Sequence, residues 1–417
     1  MSEKALKSAF WVVGVILILI GSWAWVDRWL NEHQNTDYGS VVPWGLWVAV
    51  CIYFVGLSAG AFLVSSLVYV FNIKRFERVG RLALFTAVVT LILALLSISA
   101  DLGHPFRAWY VMIYANFESP MAWMIWLYSA YFALVVVELW FVLRHDFVVG
   151  SREPGARGKL YRILSFGSRE DSVEARASDM QIVRILAIIG VPLAIMFHGG
   201  VGSLFGVISS RPAWYGGMFP ILFLVSALAS GGALLVIVSA IFQDGLRRNR
   251  DTVLALGSLV LALMLLDALF LISETLVGFY GNEPARVASL KLVYGGPYWW
   301  VFWFWQLGVG TVIPLALLAL PSRRDPRLVA LACGLIAIGF LAVRLNIVIP
   351  GLADEQLAGL TQAFSSPRIS TDYVPSVMEF SFSAGIVGIG LVLFGLGEWL
   401  LPRERDQAPE EVSHVTA

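Results

Sequence analysis

The chain has 417 residues, 58% of them hydrophobic and 14% charged, with a mean hydropathy of +0.77. Soluble domains carry about a quarter charged residues, so this composition excludes one and points to an all-α, polytopic membrane protein. The formal net charge of zero argues against nucleic-acid binding. Cys51 and Cys333 lie in apolar runs without partner spacing, so the chain is expected to hold no metal and no iron–sulfur cluster of its own.

Ten apolar runs are long enough to cross a bilayer, at 9–28, 44–71, 80–103, 120–143, 182–208, 217–242, 252–278, 298–320, 327–349 and 375–400. Hydrocarbon offers the backbone no hydrogen-bond partner, so each is predicted to be a helix. The first follows Lys4 and Lys7 like a signal peptide, but Trp23, Trp25 and Trp29 occupy the place of a small-residue cleavage site, and it reads as a retained helix. Lysine and arginine divide 21 to six between alternate loops, which predicts both termini in the cytoplasm. Thirteen of 16 tryptophans fall near the opposite, outer boundary. They are either headgroup anchors or an aromatic platform for a partner subunit or a flat ligand.

Helices two and six each follow a Pro–Trp signal, Pro43-Trp44-Gly45 and Pro212-Ala-Trp214, and carry small-residue patches, Gly56-Leu-Ser-Ala-Gly60 and Ala227-Leu-Ala-Ser-Gly-Gly232. Such patches let helices approach closely. An offset of four helices predicts two parallel-repeat four-helix bundles, at 1–143 and 182–320. Residues 144–181 would be a basic cytoplasmic linker, and 321–417 an additional C-terminal helix pair with a cytoplasmic tail.

The stretch Asp101-Leu-Gly-His-Pro-Phe-Arg107 closes the third run. Ser97, Asp101 and His104 recur at i, i+4 and i+7, on one helical face. Gly103 suits a left-handed C-terminal residue, and Pro105 stops the helix. Arg107 is a candidate brace for Asp101. Ionisable groups inside spans are functional candidates by default, and Asp101, His104, His198, Asp267, Glu274, Arg344 and Glu379 all fall in the outer halves of their helices. His198 reads equally as a packing residue, and Asp267 with Arg344 as a buried ion pair. Glu138 and Arg184 lie near the inner ends, where they are expected to snorkel to headgroups. A two-helix haem needs an axial ligand from each helix, and only His104 and His198 fall near the bilayer, so no haem is expected.

Asp101-Leu-Gly-His-Pro-Phe-Arg-Ala-Trp109 and Asn116-Phe-Glu-Ser-Pro-Met-Ala-Trp123, with Val42-Pro-Trp-Gly45 and Gly56-Leu-Ser-Ala-Gly60, resemble the membrane subunit of polysulfide reductase and its relatives, the NrfD family. The likeness is close over helices two to four and looser through His198 to Gly232. It implies a haem-free, quinone-binding subunit in the cytoplasmic membrane of a prokaryote, taking menaquinone or ubiquinone at the outer end of the first bundle. Implied partners are a four-cluster ferredoxin-like iron–sulfur subunit on the outer face and a molybdopterin catalytic subunit or multihaem cytochrome.

A quinone site needs hydrogen-bond donors and a proton acceptor in an apolar cleft. On that reading Asp101 and His104 are the catalytic pair, His104 bonding a carbonyl and Asp101 holding its tautomer. Arg107, Tyr114, Asn116 and Ser119 line the site, Trp44 and Trp123 flank the ring, and His198, Asp267, Glu274, Arg344 and Glu379 are proton-path candidates. The rival readings are a secondary transporter, whose signature is charge at the midplane, and a non-catalytic membrane anchor.

Overall fold

The computed structural model describes residues 3–400 apart from 243–245, 247, 248, 356, 358, 360–362, 364, 365 and 367. Among the described residues there is no strand, and ten helices are long and apolar enough to cross a bilayer. They are α1 (Glu3–Asn31), α2 (Leu46–Tyr69), α3 (Glu77–Asp101), α4 (Pro120–Gly150), α5 (Val173–Gly206), α6 (Phe219–Phe242), α7 (Arg250–Tyr280), α8 (Val301–Ala319), α9 (Pro326–Ala353) and α10 (Val377–Leu400). α4 and α5, at 31 and 34 residues, run to about 46 and 51 Å at 1.5 Å per residue. They outreach a hydrocarbon layer of about 30 Å. α8 opens as a π-helix over Val301–Val312, and within it Gln306 accepts from Asn346 of α9 at 2.7 Å.

α2 and α6 stand at the centre. An added Cβ at Gly60 would fall on the backbone of Gly231 and Gly232, and one at Gly231 on the backbone of Leu57 and Gly60. The two small-residue patches noted in the sequence therefore pack on each other, backbone to backbone, which only residues without bulk permit. α3 packs on α2, and α4 on both α3 and α5, while α5 returns to α2. α7 and α9 pack on α6, and α8 on α9.

The expected C-terminal pair of helices nine and ten is a different pair. α10 lies along α1 and packs on α3 and α2, whereas α9 packs against α6, α7 and α8. α9 thus packs with α6 to α8 rather than with α10. The reason is again small residues: α1 and α10 cross where Gly21 and Gly385 meet, a match that hydropathy does not display.

Ion pairs tie the basic end. Arg81 of α3 meets Asp146 of α4 at 2.6 Å, and Arg144 of α4 meets Asp179 of α5 at 2.8 Å. Between them, the helix Ala156–Leu164 folds back on α4, with Tyr161 against Gly150 and the Trp140 indole donating to Leu164 O at 2.8 Å.

Candidate functional site

The last carbonyls of a helix lack intrahelical donors. At the end of α3 they are taken by α1 and the residues just after it. Arg28, 5% exposed, donates from Nε to Ala100 O at 2.7 Å and from Nη2 to Leu102 O at 2.6 Å. His33 Nε2 stands 3.1 Å from Asp101 O. Two charge-assisted bonds at the negative end of a helix dipole make a buried guanidinium tolerable here. They also replace the left-handed glycine turn expected at Gly103: Leu102 is extended (φ −65°, ψ 125°) and Gly103 has no positive φ.

Burial, and then the nearby Arg28 charge, hold the His33 pKa below its ordinary value, so the ring is neutral at neutral pH. A carbonyl oxygen only accepts, so Nε2 carries the proton and Nδ1 is left as an acceptor. The His33 ring lies 5.8 Å from that of Tyr38 and 6.0 Å from that of Trp47.

Asp101 completes this corner. Its Oδ1 is buried without a hydrogen-bond partner, as is the Tyr38 hydroxyl. The two groups are neighbours without a well-formed bond between them. Burial first, and the Asp101 carboxylate second, push the Tyr38 hydroxyl well above the ordinary phenol range. On the far side of Tyr38, Tyr373 donates its hydroxyl to Glu379 Oε1 and accepts from Leu46 N, the first residue of α2, at 2.8 Å. Glu379 Oε2 accepts from Ser376 N at 2.8 Å and Asp37 N at 3.1 Å. One end of the bundle thus joins α1, α2, α3 and α10 through Arg28, His33, Tyr38, Asp101, Tyr373 and Glu379.

Several residues expected at the site lie elsewhere. His104, Arg107, Tyr114, Asn116 and Trp123 are exposed along the 102–123 segment, which includes the one-turn elements Pro105–Arg107 and Tyr110–Ile113. Arg107 makes no ion pair with Asp101 among the described residues; Arg28 supplies the brace. Asn116 turns its side chain back to Glu118 N, Ser119 caps α4 by accepting from Met121 N, and Trp123 donates to Phe117 O. Trp44 stacks on Trp214 with ring centroids 6.4 Å apart. A depression of about 250 Å³ beside the α5–α6 turn is lined by Ser203, Tyr215 and Pro220 among others, and neither Asp101 nor His104 touches it.

A second polar group lies deeper. His198 is buried with both ring nitrogens unpartnered, its ring 5.3 Å from that of Tyr131, whose hydroxyl is also buried and unpartnered. Arg344 is 1% exposed, with all three guanidinium nitrogens unpartnered and its Cζ 4.0 Å above the Phe223 ring. Asp267 stands near enough to feel its charge, yet no ion pair within 4 Å joins them among the described residues. Glu138, expected to snorkel, is fully buried with both carboxyl oxygens unpartnered. Arg184 is exposed, and Glu274 is held by Arg286 at 2.6 Å.

The polysulphide reductase NrfD family matches residues 29–354. The chain belongs to the NrfD family. It is 36% identical over 410 residues to a selenate reductase subunit of Mesobacillus selenatarsenatis, covering 97% of this chain and 94% of that one. It is 30% identical over 380 residues to the Hdr-like menaquinol oxidoreductase integral membrane subunit of Archaeoglobus fulgidus, covering 89% and 87%. This NrfD-family protein is therefore a multi-pass membrane subunit of the respiratory oxidoreductase type. The family match takes in His33, Asp101 and Arg344 but ends before α10, so Tyr373 and Glu379 lie outside it.

Sequence reasoning missed Arg28, His33, Tyr38 and Tyr373. Their signal was faint but present: Arg28, His33 and Tyr38 recur every five residues where the first apolar run ends.

Proposed function

We propose that this chain exchanges electrons between the membrane quinone pool and an iron–sulfur partner subunit docked at the aromatic end, taking up or releasing protons at the Asp101 corner. The observation that carries this reading is the pair of buried, unpartnered oxygens of Asp101 and Tyr38, with the Tyr38 ring packed against those of His33 and Trp47. A quinone carbonyl requires a donor and a quinol hydroxyl an acceptor, against apolar surface, and these residues fit that demand. When bound, the quinone supplies the two-electron, two-proton chemistry. Asp101 accepts or returns a proton at its free carboxylate oxygen, Tyr38 offers a hydroxyl, and His33 presents Nδ1 with its tautomer fixed by the α3 carbonyl. Arg28 positions all three by holding the end of α3.

The name of the Archaeoglobus relative favours menaquinol over ubiquinol. The charge bias supports an outer-face site, cytoplasmic termini and a prokaryotic inner membrane. The exposed 102–123 segment, with His104, Arg107, Phe106 and Tyr114, supports a docking face for the ferredoxin-like subunit, itself serving a molybdopterin subunit or multihaem cytochrome. The unpartnered Tyr131, His198, Arg344 and Glu138, with Asp267, support a proton route into the membrane. Glu274, tied to Arg286, stands at its edge.

The test is quinol-dependent reduction of the partner's clusters in the purified complex. Asp101→Asn is expected to abolish it with the complex assembled and bound quinone diminished. Normal turnover and normal quinone content in that variant would overturn the assignment.

A further inference from the structure

α1 and α10 do more than flank the bundle. They bring a second buried carboxylate, Glu379, to the corner that already holds Asp101, and two phenols stand between the acids. The Tyr38 ring centroid is 6.0 Å from that of Tyr373. Tyr38 neighbours Asp101 on one side, and Tyr373 is bonded to Glu379 on the other. The two phenols come this close because residue 45 is glycine. A Cβ there would strike the Tyr373 hydroxyl and lie 2.6 Å from Tyr38 Cε1.

Quinol oxidation releases two protons, and one carboxylate takes up only one. We propose that Glu379 is the second proton-exchanging group of the quinone site, reached through the Tyr373 hydroxyl that is bonded to it; this rests on the quinone reading given above. The balance closes with iron–sulfur clusters of the partner subunit as the electron acceptor. Two O–H bonds break, two electrons leave to those clusters, Asp101 takes one proton and Glu379 the other. The Tyr373 phenol accepts a proton on its oxygen as it gives up its own to Glu379, so only the carboxylates change state. In quinone reduction the same groups return the protons. Glu379 lies close to the surface, since the N–H of the exposed Asp37 donates to it at 3.1 Å.

A simple brace is the competing role, since Glu379 also collects two backbone N–H groups. The groups facing the pair are Arg28 and His33 from α1 and its end, Asp37 and Tyr38 from the α1–α2 loop, Asp101 from α3, Tyr298 before α8, and Asp372 before α10. The readouts must therefore isolate the proton.

In the purified complex with its partner, Glu379→Gln and Tyr373→Phe are expected to keep bound quinone within about twofold of wild type and to lower quinol turnover roughly 100-fold, in the range of lost general acid–base catalysis. Redox-triggered infrared difference spectra should lose one carboxyl band in Glu379→Gln and a different one in Asp101→Asn. Glu379→Asp should restore part of the rate. Wild-type turnover or an unchanged carboxyl spectrum in Glu379→Gln overturns the proposal. If that variant does not assemble, Tyr373→Phe, which keeps the ring and loses only the hydroxyl, decides: normal turnover overturns it. Failure of the quinone reading itself shows differently, as normal turnover in Asp101→Asn.

Discussion

Arg28 of α1 and Asp101 of α3 meet at one helix end, where the guanidinium holds the carbonyls on either side of Asp101 while Asp101 Oδ1 has no hydrogen-bond partner. A cation holds the backbone while the acid beside it stays free. Replacing Arg28 by Met should leave the buried Ala100 carbonyl and the part-buried Leu102 carbonyl without this donor, costing about 1–3 kcal/mol for the buried one. The expected outcome is a lower melting temperature of the detergent-solubilised protein together with reduced bound quinone. An Arg28→Met protein with unchanged melting and quinone content would show that the α3 end needs no such brace.

Gly45 to Ala is a second, sharper test, because it adds one methyl. The new Cβ would land on the Tyr373 hydroxyl, displacing it from Leu46 N and from Glu379. Turnover is expected to fall with the helices intact by circular dichroism. The loss should not add to that of Tyr373→Phe in the double variant, since the two act on one contact.

Ten membrane helices were legible in the sequence because bilayer length and backbone satisfaction leave few alternatives. The partners of those helices were not. Gly21 meeting Gly385 depends on two small residues 364 positions apart, and no periodicity links them. Asp101 was legible because an acid at the end of an apolar run is conspicuous. His33 lies past the first span in the sequence, and only the turn of the chain brings it onto the end of α3. His104 was favoured for sharing a helical face with Asp101, but α3 ends at Asp101, so the face does not continue. Its replacement by Ala is accordingly expected to weaken partner retention more than quinone content, the reverse of Asp101→Asn.

His33 sets a pH limit. Burial and Arg28 lower its folded pKa below the unfolded value near 6.5, so the unfolded chain binds the proton more readily. Its contribution to stability is full above pH 6.5 and is lost as pH falls from 6.5 through the folded value. Melting temperature measured from about pH 7.5 down to about pH 5 should decline, and His33→Gln should flatten the part of that decline that His33 contributes. An identical profile in the variant would refute the assignment.

Arg344 separates stability from function. Its guanidinium is buried over Phe223 with no nitrogen partnered, and an unpaired buried charge is a cost to folding of several kcal/mol in the absence of water. Arg344→Met, of similar length and apolar, is expected to leave the melting temperature unchanged or raise it. A buried cation that stands beside His198, Tyr53 and Asp267 is explained if it biases proton movement within the membrane. Quinol turnover coupled to acidification or alkalinisation in sealed vesicles should then lose its coupling in Arg344→Met. Lower melting with intact coupling would instead make Arg344 a structural cation and remove it from the route.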